Sequence, residues 1–161
     1  MIAKKVLLVG NFGVGKTSLI RRFVTNEFSE DYISTIGVRI SKKEVQYNEQ
    51  IVKLLIWDVA GTSGNEKIPK AYFLGANAAM YVFDLSREET YIALEENLKM
   101  VKELSGLQNI TLIGNKKDLL TSEELIAVKN KITVPIDLIT SAKDDENVED
   151  AFTLLTAESL K

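Results

Sequence analysis

The sequence predicts an α/β fold in which a six-stranded mixed sheet with one antiparallel strand is flanked by five helices. Short apolar runs, which suit strands buried on both faces, alternate with amphipathic stretches of helical period along the chain. One run instead alternates apolar and polar residues and leads through a turn into the next run, as in a hairpin. The length of 161 residues fits a single domain covering 1–161.

The elements follow one another in the order of a βα series with one hairpin inside it. The predicted strands are Val6–Val9, Ile40–Val45, Val52–Trp57, Ala78–Phe83, Ile110–Ile113 and Val134–Ile139. The helical patterns are Thr17–Thr25, Glu88–Leu104, Ser122–Lys131 and Val148–Leu160, and the layout places a fifth helix between the third and fourth strands.

Composition excludes several classes of chemistry. The chain has no cysteine and no histidine, which removes disulfides, thiolate or imidazole catalysis and lipid anchoring on cysteine. The net charge of −3 argues against nucleic acid as a partner. The absence of cysteine fits a reducing cytoplasm, so we expect a cytoplasmic protein, and no apolar run approaches the roughly 20 residues that cross a bilayer. The basic pairs Lys4–Lys5, Arg21–Arg22 and Lys42–Lys43 are interpreted as solvated positions.

A glycine-rich segment follows the first predicted strand and opens the first predicted helix. Gly10–Thr17 fits the pattern G-x-x-x-x-G-K-[ST], whose backbone N–H groups wrap phosphates. Lys16 can reach the β and γ oxygens of a nucleotide, and the Thr17 hydroxyl can ligate Mg²⁺. The remaining phosphate-binding candidates in this phosphate loop and directly after it are Asn11, Phe12, Gly13, Val14, Gly15 and Ser18.

Which nucleotide base is bound is indicated by Asn115–Asp118, a segment at the end of the fifth predicted strand that we call the base-reading loop. The Asp118 carboxylate can accept two hydrogen bonds from the N1–H and exocyclic amine of guanine. Adenine has neither donor at those positions and would leave the carboxylate unpaired. The Lys116 stem can pack on the purine face, and Asn115 can tie this loop to the phosphate loop.

Further base contacts are expected from three other places in the chain. After the sixth predicted strand comes Ser141–Lys143, where the Ala142 N–H can meet the guanine O6. Phe28 can lie edgewise near the base. The remaining base-site candidates are Leu119, Ser141 and Lys143.

These motifs, in this order, resemble those of the small GTPases of the Ras superfamily, most closely the Rab branch. The resemblance covers essentially the whole chain and includes segments 31–38, 53–61 and 72–76. It implies the P-loop nucleotide-hydrolase fold of a small G protein, a monomer that binds GTP or GDP with Mg²⁺. It also implies a molecular switch in signal transduction and vesicle transport, with an effector, an exchange factor and an activating protein as partners.

The resemblance assigns roles to residues that spacing alone does not. Thr35 would ligate Mg²⁺ in the GTP state, and Asp58 would hold Mg²⁺ through water. The Gly61 N–H would bond the γ-phosphate. Switch I (about 28–38) and switch II (about 58–75) would change conformation when that phosphate is lost, and so control effector binding.

Two departures from the family pattern predict slow hydrolysis, at or below about 10⁻⁴–10⁻³ s⁻¹. Thr62 stands where most members carry the glutamine that orients the attacking water, and Phe12 would crowd the γ-phosphate side. Lys16, Thr35, Gly61 and Thr62 are the catalytic candidates. The alternative is a scaffold that scarcely hydrolyses GTP and acts only through partner binding. A small-molecule kinase is disfavoured, because no arginine follows Arg87.

Trp57 and Tyr72 match two members of an aromatic triad that Rab proteins show to effectors, whereas the third position is Ile40. Arg39 stands where Rab proteins usually carry aspartate. Partner recognition is therefore expected to differ from that of an ordinary Rab. For Trp57, core packing is an equally good interpretation.

Overall fold

The computed structural model describes residues 1–24, the backbone of 32–33, and residues 38–59 and 68–161. Their strands are β1 (Ile2–Val9), β2 (Tyr32–Ile33), β3 (Arg39–Tyr47), β4 (Gln50–Asp58), β5 (Ala78–Asp84), β6 (Thr111–Asn115) and β7 (Leu138–Ile139). Their α-helices are α1 (Lys16–Val24), α2 (Leu94–Ser105), α3 (Ser122–Lys131) and α4 (Val148–Ser159).

The seven strands of the described residues belong to one mixed sheet in the order β2-β3-β4-β1-β5-β6-β7. Strand β3 runs antiparallel to both of its neighbours, and every other pairing is parallel. The predicted α/β fold, with six strands and one of them antiparallel, is confirmed. The two-residue β2 lies outside β3 and was not predicted, because so short a strand carries no period that a sequence can show.

The last strand is shorter than the predicted Val134–Ile139, since only Leu138–Ile139 pairs with β6. Pro135 has no N–H to donate to a ladder, which limits pairing at the start of this segment. The Asp137 carboxylate accepts a hydrogen bond from the Leu112 N–H at 2.7 Å and so takes the place of a backbone acceptor.

The four helical patterns are all present, with one shifted start. Helix α2 begins at Leu94 instead of Glu88, because Glu88–Thr90 forms a separate 3-10 turn. In that turn the Thr90 hydroxyl is engaged by backbone groups of Asp84 and Arg87, which holds it apart from the helix. The fifth predicted helix falls between β4 and β5, where residues 60–67 lie outside the described ones and Lys70–Tyr72 forms a 3-10 turn.

The sheet is buried on both faces, as its continuous apolar strands predict. One face packs against α1 and α4, where the rings of Phe23 and Phe152 stack with centroids 4.0 Å apart. The other face packs around Phe73, Phe83 and Tyr91 beneath α2 and α3. In the described parts of the chain, no helix is long and apolar enough to span a bilayer.

The first residue of the phosphate loop is forced to be glycine by its close approach to β5. Gly10 has φ +151°, and a Cβ placed on it would lie 2.1 Å from the backbone oxygen of Val82. We expect Gly10→Ala to lower the free energy of unfolding by about 3 kcal/mol or more, since a central strand would have to move. Urea unfolding measures this.

Gly106→Ala is the matched control for that prediction. Gly106 also has a positive φ, +75°, but a Cβ there would have nothing within 4 Å. Gly106→Ala should therefore lower the free energy of unfolding only by the cost of backbone strain, about 1–2 kcal/mol. Equal losses in the two variants would show that the approach to Val82 adds nothing.

Candidate nucleotide-binding site

The candidate site lies where the carboxyl ends of parallel strands β1, β5 and β6 meet, the usual crevice for ligands in open α/β sheets. A pocket of about 470 Å³ opens there. Seven of its lining residues were predicted from sequence and two, Arg21 and Arg22, were not. The lining residues are Gly15, Ser18, Arg21, Arg22, Asn115, Lys116, Asp118, Ala142 and Lys143.

The phosphate loop wraps around the ammonium group of Lys16. Lys16 Nζ donates hydrogen bonds to the carbonyl oxygens of Gly10, at 2.9 Å, and Asn11, at 3.0 Å. The residue is only 6% exposed. Burial lowers the Lys16 pKa from 10.5 to about 8, against an opposing effect of the Asp58 carboxylate. The loop therefore holds a cation whose charge is only partly compensated, which favours binding of an anion.

This pKa makes the stability of the nucleotide-free protein depend on pH. Because the folded-state pKa of Lys16 is about 8 and the unfolded value is 10.5, the unfolded chain binds more protons between these limits. The free energy of unfolding should therefore rise by about 3 kcal/mol as pH increases through this window. Urea titrations at several pH values, compared with Lys16→Met, test this. A rise of the same size in the variant would assign it to other groups.

The two described metal candidates lie side by side. The Thr17 hydroxyl in the first turn of α1 donates to Asp58 Oδ2 at the end of β4, at 2.5 Å. A hydroxyl and a carboxylate are hard oxygen ligands of the kind that Mg²⁺ takes beside nucleotide phosphates. The pair therefore fits the metal that the phosphate loop implies.

Asn115 joins the phosphate loop to the loops after β6 and β7. Its Nδ2 donates to the Val14 carbonyl at 3.0 Å, and its Oδ1 accepts from the Thr140 hydroxyl at 2.9 Å and from the Ala142 N–H at 3.3 Å. The expected tie between Asn115 and the phosphate loop is thus a hydrogen bond in the structure. A Cβ on Gly15 would lie 2.3 Å from Asn115 Nδ2, so this tie needs glycine at that position.

Asp118 is held in place by the loop after β7. The fully buried Ser141 donates its hydroxyl to Asp118 Oδ1 at 2.7 Å and accepts from the Asp144 N–H at 3.0 Å. This fixes the carboxylate at the wall of the pocket. Its contact with guanine, and that of the Ala142 N–H with O6, stay predictions.

The other described site residues differ in how far they are exposed to solvent. Val14 is buried in the core and offers its carbonyl to Asn115. Phe12 is 70% exposed, and Leu119 is also exposed. The remaining predicted site residues Phe28, Thr35, Gly61 and Thr62 lie outside the described residues, as do most positions of switch I and positions 60–67 of switch II.

Arg22 is a structural part of the site that sequence reasoning missed. It is exposed, in line with its interpretation as a solvated residue, but its Nε also donates to the Ala142 carbonyl and its Nη2 to the Lys143 carbonyl, both at 2.9 Å. Helix α1 is thereby joined to the loop after β7. No local pattern signals a contact across 120 residues, so only the fold could reveal it.

Lys5 and Lys43 were also interpreted as solvated, and both make specific contacts. Lys5 Nζ donates to the Leu74 carbonyl at 2.7 Å and lies 3.8 Å from the ring centre of Trp57. Lys43 Nζ donates to the Phe23 carbonyl and lies over the Phe23 ring. Such cation–π contacts draw the stems of these lysines onto the protein surface.

The two aromatic residues expected to face effectors, Tyr72 and Trp57, pack largely against other residues of the protein. Tyr72 is buried, and Trp57 is half-buried against the core cluster on the α2 side. Lys5 covers the Trp57 ring, and Ile40 lies opposite Trp57 in the β3–β4 ladder. These contacts favour the interpretation of Trp57 as a core residue.

A phosphate loop closed around a buried lysine, beside a hydroxyl–carboxylate pair, defines a P-loop nucleotide-binding protein. The model of the Ras family matches residues 5–161. The chain is 40% identical over 159 residues to Ras-related protein Rab-25 of Bos taurus and of Homo sapiens, covering 96% of this chain and 75% of each relative. It is 39% identical over 155 residues to Ras-related protein RABA1h of Arabidopsis thaliana, covering 92% of this chain and 71% of that protein. The chain belongs to the Ras family of small GTPases and lies close to its Rab branch.

Proposed function

We propose that this protein is a guanine-nucleotide switch that binds GTP and GDP with Mg²⁺ and hydrolyses GTP slowly. The observation that carries the proposal is the Asn115 junction. Asn115 holds the phosphate loop against the segment bearing Ala142, while Asp118 faces the same pocket. This arrangement supports recognition of the phosphates and of guanine in one cleft.

Each described residue has a defined task in this proposal. Lys16, whose ammonium group is held in the loop by two carbonyl oxygens, would bind the β and γ oxygens of the nucleotide. Thr17 would ligate Mg²⁺ with its hydroxyl and Asp58, beside it, would hold the ion through water, and the ion would neutralise phosphate charge. Asp118, oriented by Ser141, accepts from the guanine edge.

The switching part of the proposal concerns segments 28–38 and 58–75. Thr35 and Gly61 would sense the γ-phosphate, and its loss would release both segments. Effectors, an exchange factor and an activating protein would recognise these segments on a monomeric protein. Relatives named Rab-25 and RABA1h support a Rab-like role in vesicle transport.

The slow rate follows from two side chains. Threonine at position 62 is too short to orient water as the usual glutamine does. Phe12 extends from the phosphate loop with 70% of its surface exposed, where it would obstruct an arginine supplied by another protein. The same two residues favour the second candidate, a GTP-binding scaffold that scarcely hydrolyses and acts through partner binding.

Single-turnover hydrolysis of preloaded GTP with Mg²⁺ tests the proposal. We expect phosphate release at or below about 10⁻⁴–10⁻³ s⁻¹, and faster release in Thr62→Gln. Asp118→Ala, which should fail to load GTP, controls for contaminating activity. Tight GTP binding without detectable release would support the scaffold. Release well above the expected range would contradict the role given to Thr62, and failure to load GTP would overturn the proposal itself.

A further inference from the structure

A buried carboxylate at the end of β5 holds two cations from different segments of the site. Asp84 is fully buried, and its Oδ1 accepts from the backbone N–H and hydroxyl of Ser86 at 2.8 and 2.6 Å. Its Oδ2 lies 3.1 Å from Lys116 Nζ and 3.9 Å from Arg87 Nη1. One of these cations belongs to the base-reading loop, and the other belongs to no sequence motif.

Arg87 reaches from this carboxylate to the phosphate loop. Its Nη1 donates to the carbonyl oxygen of Phe12 at 3.1 Å. A Cβ on Gly13 would lie 3.2 Å from the same nitrogen, so the guanidinium lies directly against the loop. Glu89 holds the other side of the group, through a 3.0 Å bond from Arg87 Nε. With 37% of its side chain exposed, Arg87 is fixed by three partners but keeps some contact with water.

The bonded carbonyl and the Gly13 N–H belong to the same peptide group. That peptide is trans and planar, so its C=O and N–H point in opposite directions. A cation on the oxygen draws electrons toward it and makes the N–H a stronger donor, as in any chain of hydrogen bonds. In this type of loop the N–H groups are the ones that bind phosphate.

We propose that Arg87 is a positioning residue for the phosphate loop: it orients and polarises the Phe12–Gly13 peptide so that the Gly13 N–H binds the nucleotide phosphates. This rests on the proposed guanine-nucleotide function. Arg87 touches the outer side of the loop and need not touch the nucleotide. Its effect is therefore on the phosphates and not on the base, and it grows with the number of phosphates that the loop wraps.

Displacement of a fluorescent GDP analogue by unlabelled GDP and GMP, with Mg²⁺, tests this in the 161-residue chain. We expect Arg87→Ala to weaken GDP binding about 3- to 20-fold and GMP binding less than about 2-fold, because GMP offers the loop one phosphate instead of two. Arg87→Lys, which retains the charge, should lose less GDP affinity than Arg87→Ala. The Gly13 amide proton of the GDP complex should move upfield in Arg87→Ala.

Lys131→Ala is the control, because it removes a surface cation that lies 4.0 Å from the exposed Glu88 in the same region. It should change none of these quantities. Equal losses for GDP and GMP in Arg87→Ala, or an unmoved Gly13 amide, would reduce Arg87 to a general structural role and overturn the inference. A wild-type protein that does not bind GDP would instead overturn the proposed function.

Discussion

Replacing Lys16 by methionine is expected to abolish tight nucleotide binding while leaving the nucleotide-free protein as stable as the wild type, or more stable. Nucleotide phosphates placed in the loop without this ammonium group would be multiply charged and poorly compensated. Removal of one partner from a buried charge pair costs about 3–5 kcal/mol, which corresponds to roughly 10²–10⁴-fold in affinity. Few other single side chains in the site can have so large an effect.

The expected gain in stability has a separate physical cause. In the nucleotide-free protein, Lys16 is buried against two carbonyl oxygens, and burial lowers its pKa to about 8. The folded chain therefore keeps a desolvated charge at neutral pH. Methionine has a similar length and no charge to desolvate, so it removes that cost. Residues of binding sites often lower the stability of the ligand-free protein in this way.

Isothermal titration with GDP and urea unfolding of the nucleotide-free protein measure the two effects separately. Lys131→Met serves as the control, because Lys131 is an exposed lysine on α3 and should leave both quantities unchanged. A loss of stability in Lys16→Met as large as its loss in binding energy would mean that Lys16 is structural. Unchanged GDP affinity would remove Lys16 from the phosphate site.

The parts of the fold and site that the sequence predicts are those whose signal is local. The apolar run Ala78–Phe83 coincides with β5 almost residue for residue, because a strand buried on both faces needs no other information. The phosphate loop was predicted for the same reason: its glycines, its lysine and its flanking strand and helix all lie within one short stretch. The tie from Asn115 to the phosphate loop was also predicted, and it forms because both motifs end parallel strands at one edge of the sheet.

The features that were not predicted depend on contacts between distant residues. Arg22 and Arg87 are ordinary surface arginines by pattern, and only the folded chain places them on the Ala142 and Phe12 carbonyls. The contact of Lys5 with Trp57 has the same origin, since β1 and β4 are neighbours in space and not in sequence. The sequence gives no sign of which residue accepts such a hydrogen bond, because every residue has a backbone carbonyl.

Changing Asp118 to asparagine is expected to change the base that the protein prefers from guanine to xanthine. Ser141 donates to Asp118 Oδ1, and an asparagine oxygen can accept that bond equally well. The asparagine nitrogen would then occupy the place of Oδ2 and present N–H groups to the base. Guanine offers only donors at N1 and its exocyclic amine, so donors would meet donors there. Xanthine has a carbonyl oxygen in place of that amine and can accept.

The expected loss of GDP affinity is about 2–4 kcal/mol, or roughly 30- to 10³-fold, since a charge-assisted pair is replaced by a mismatch in a partly buried pocket. Affinity for xanthosine diphosphate should rise above that for GDP in the same variant. Competition binding with both nucleotides measures the exchange. Asp150→Asn makes the same chemical change on an exposed position of α4 and should alter neither affinity.

The change of base preference distinguishes a base-reading role of Asp118 from a structural role. If Asp118 only holds the loop through Ser141, asparagine preserves that bond, and affinity for both nucleotides should stay near the wild-type values. If Asp118→Asn weakens both nucleotides alike, the loop has been disturbed and the carboxylate has no special relation to the base. Only a reciprocal change, with GDP weaker and xanthosine diphosphate stronger, requires that the side chain at position 118 face the edge of the purine where these two bases differ.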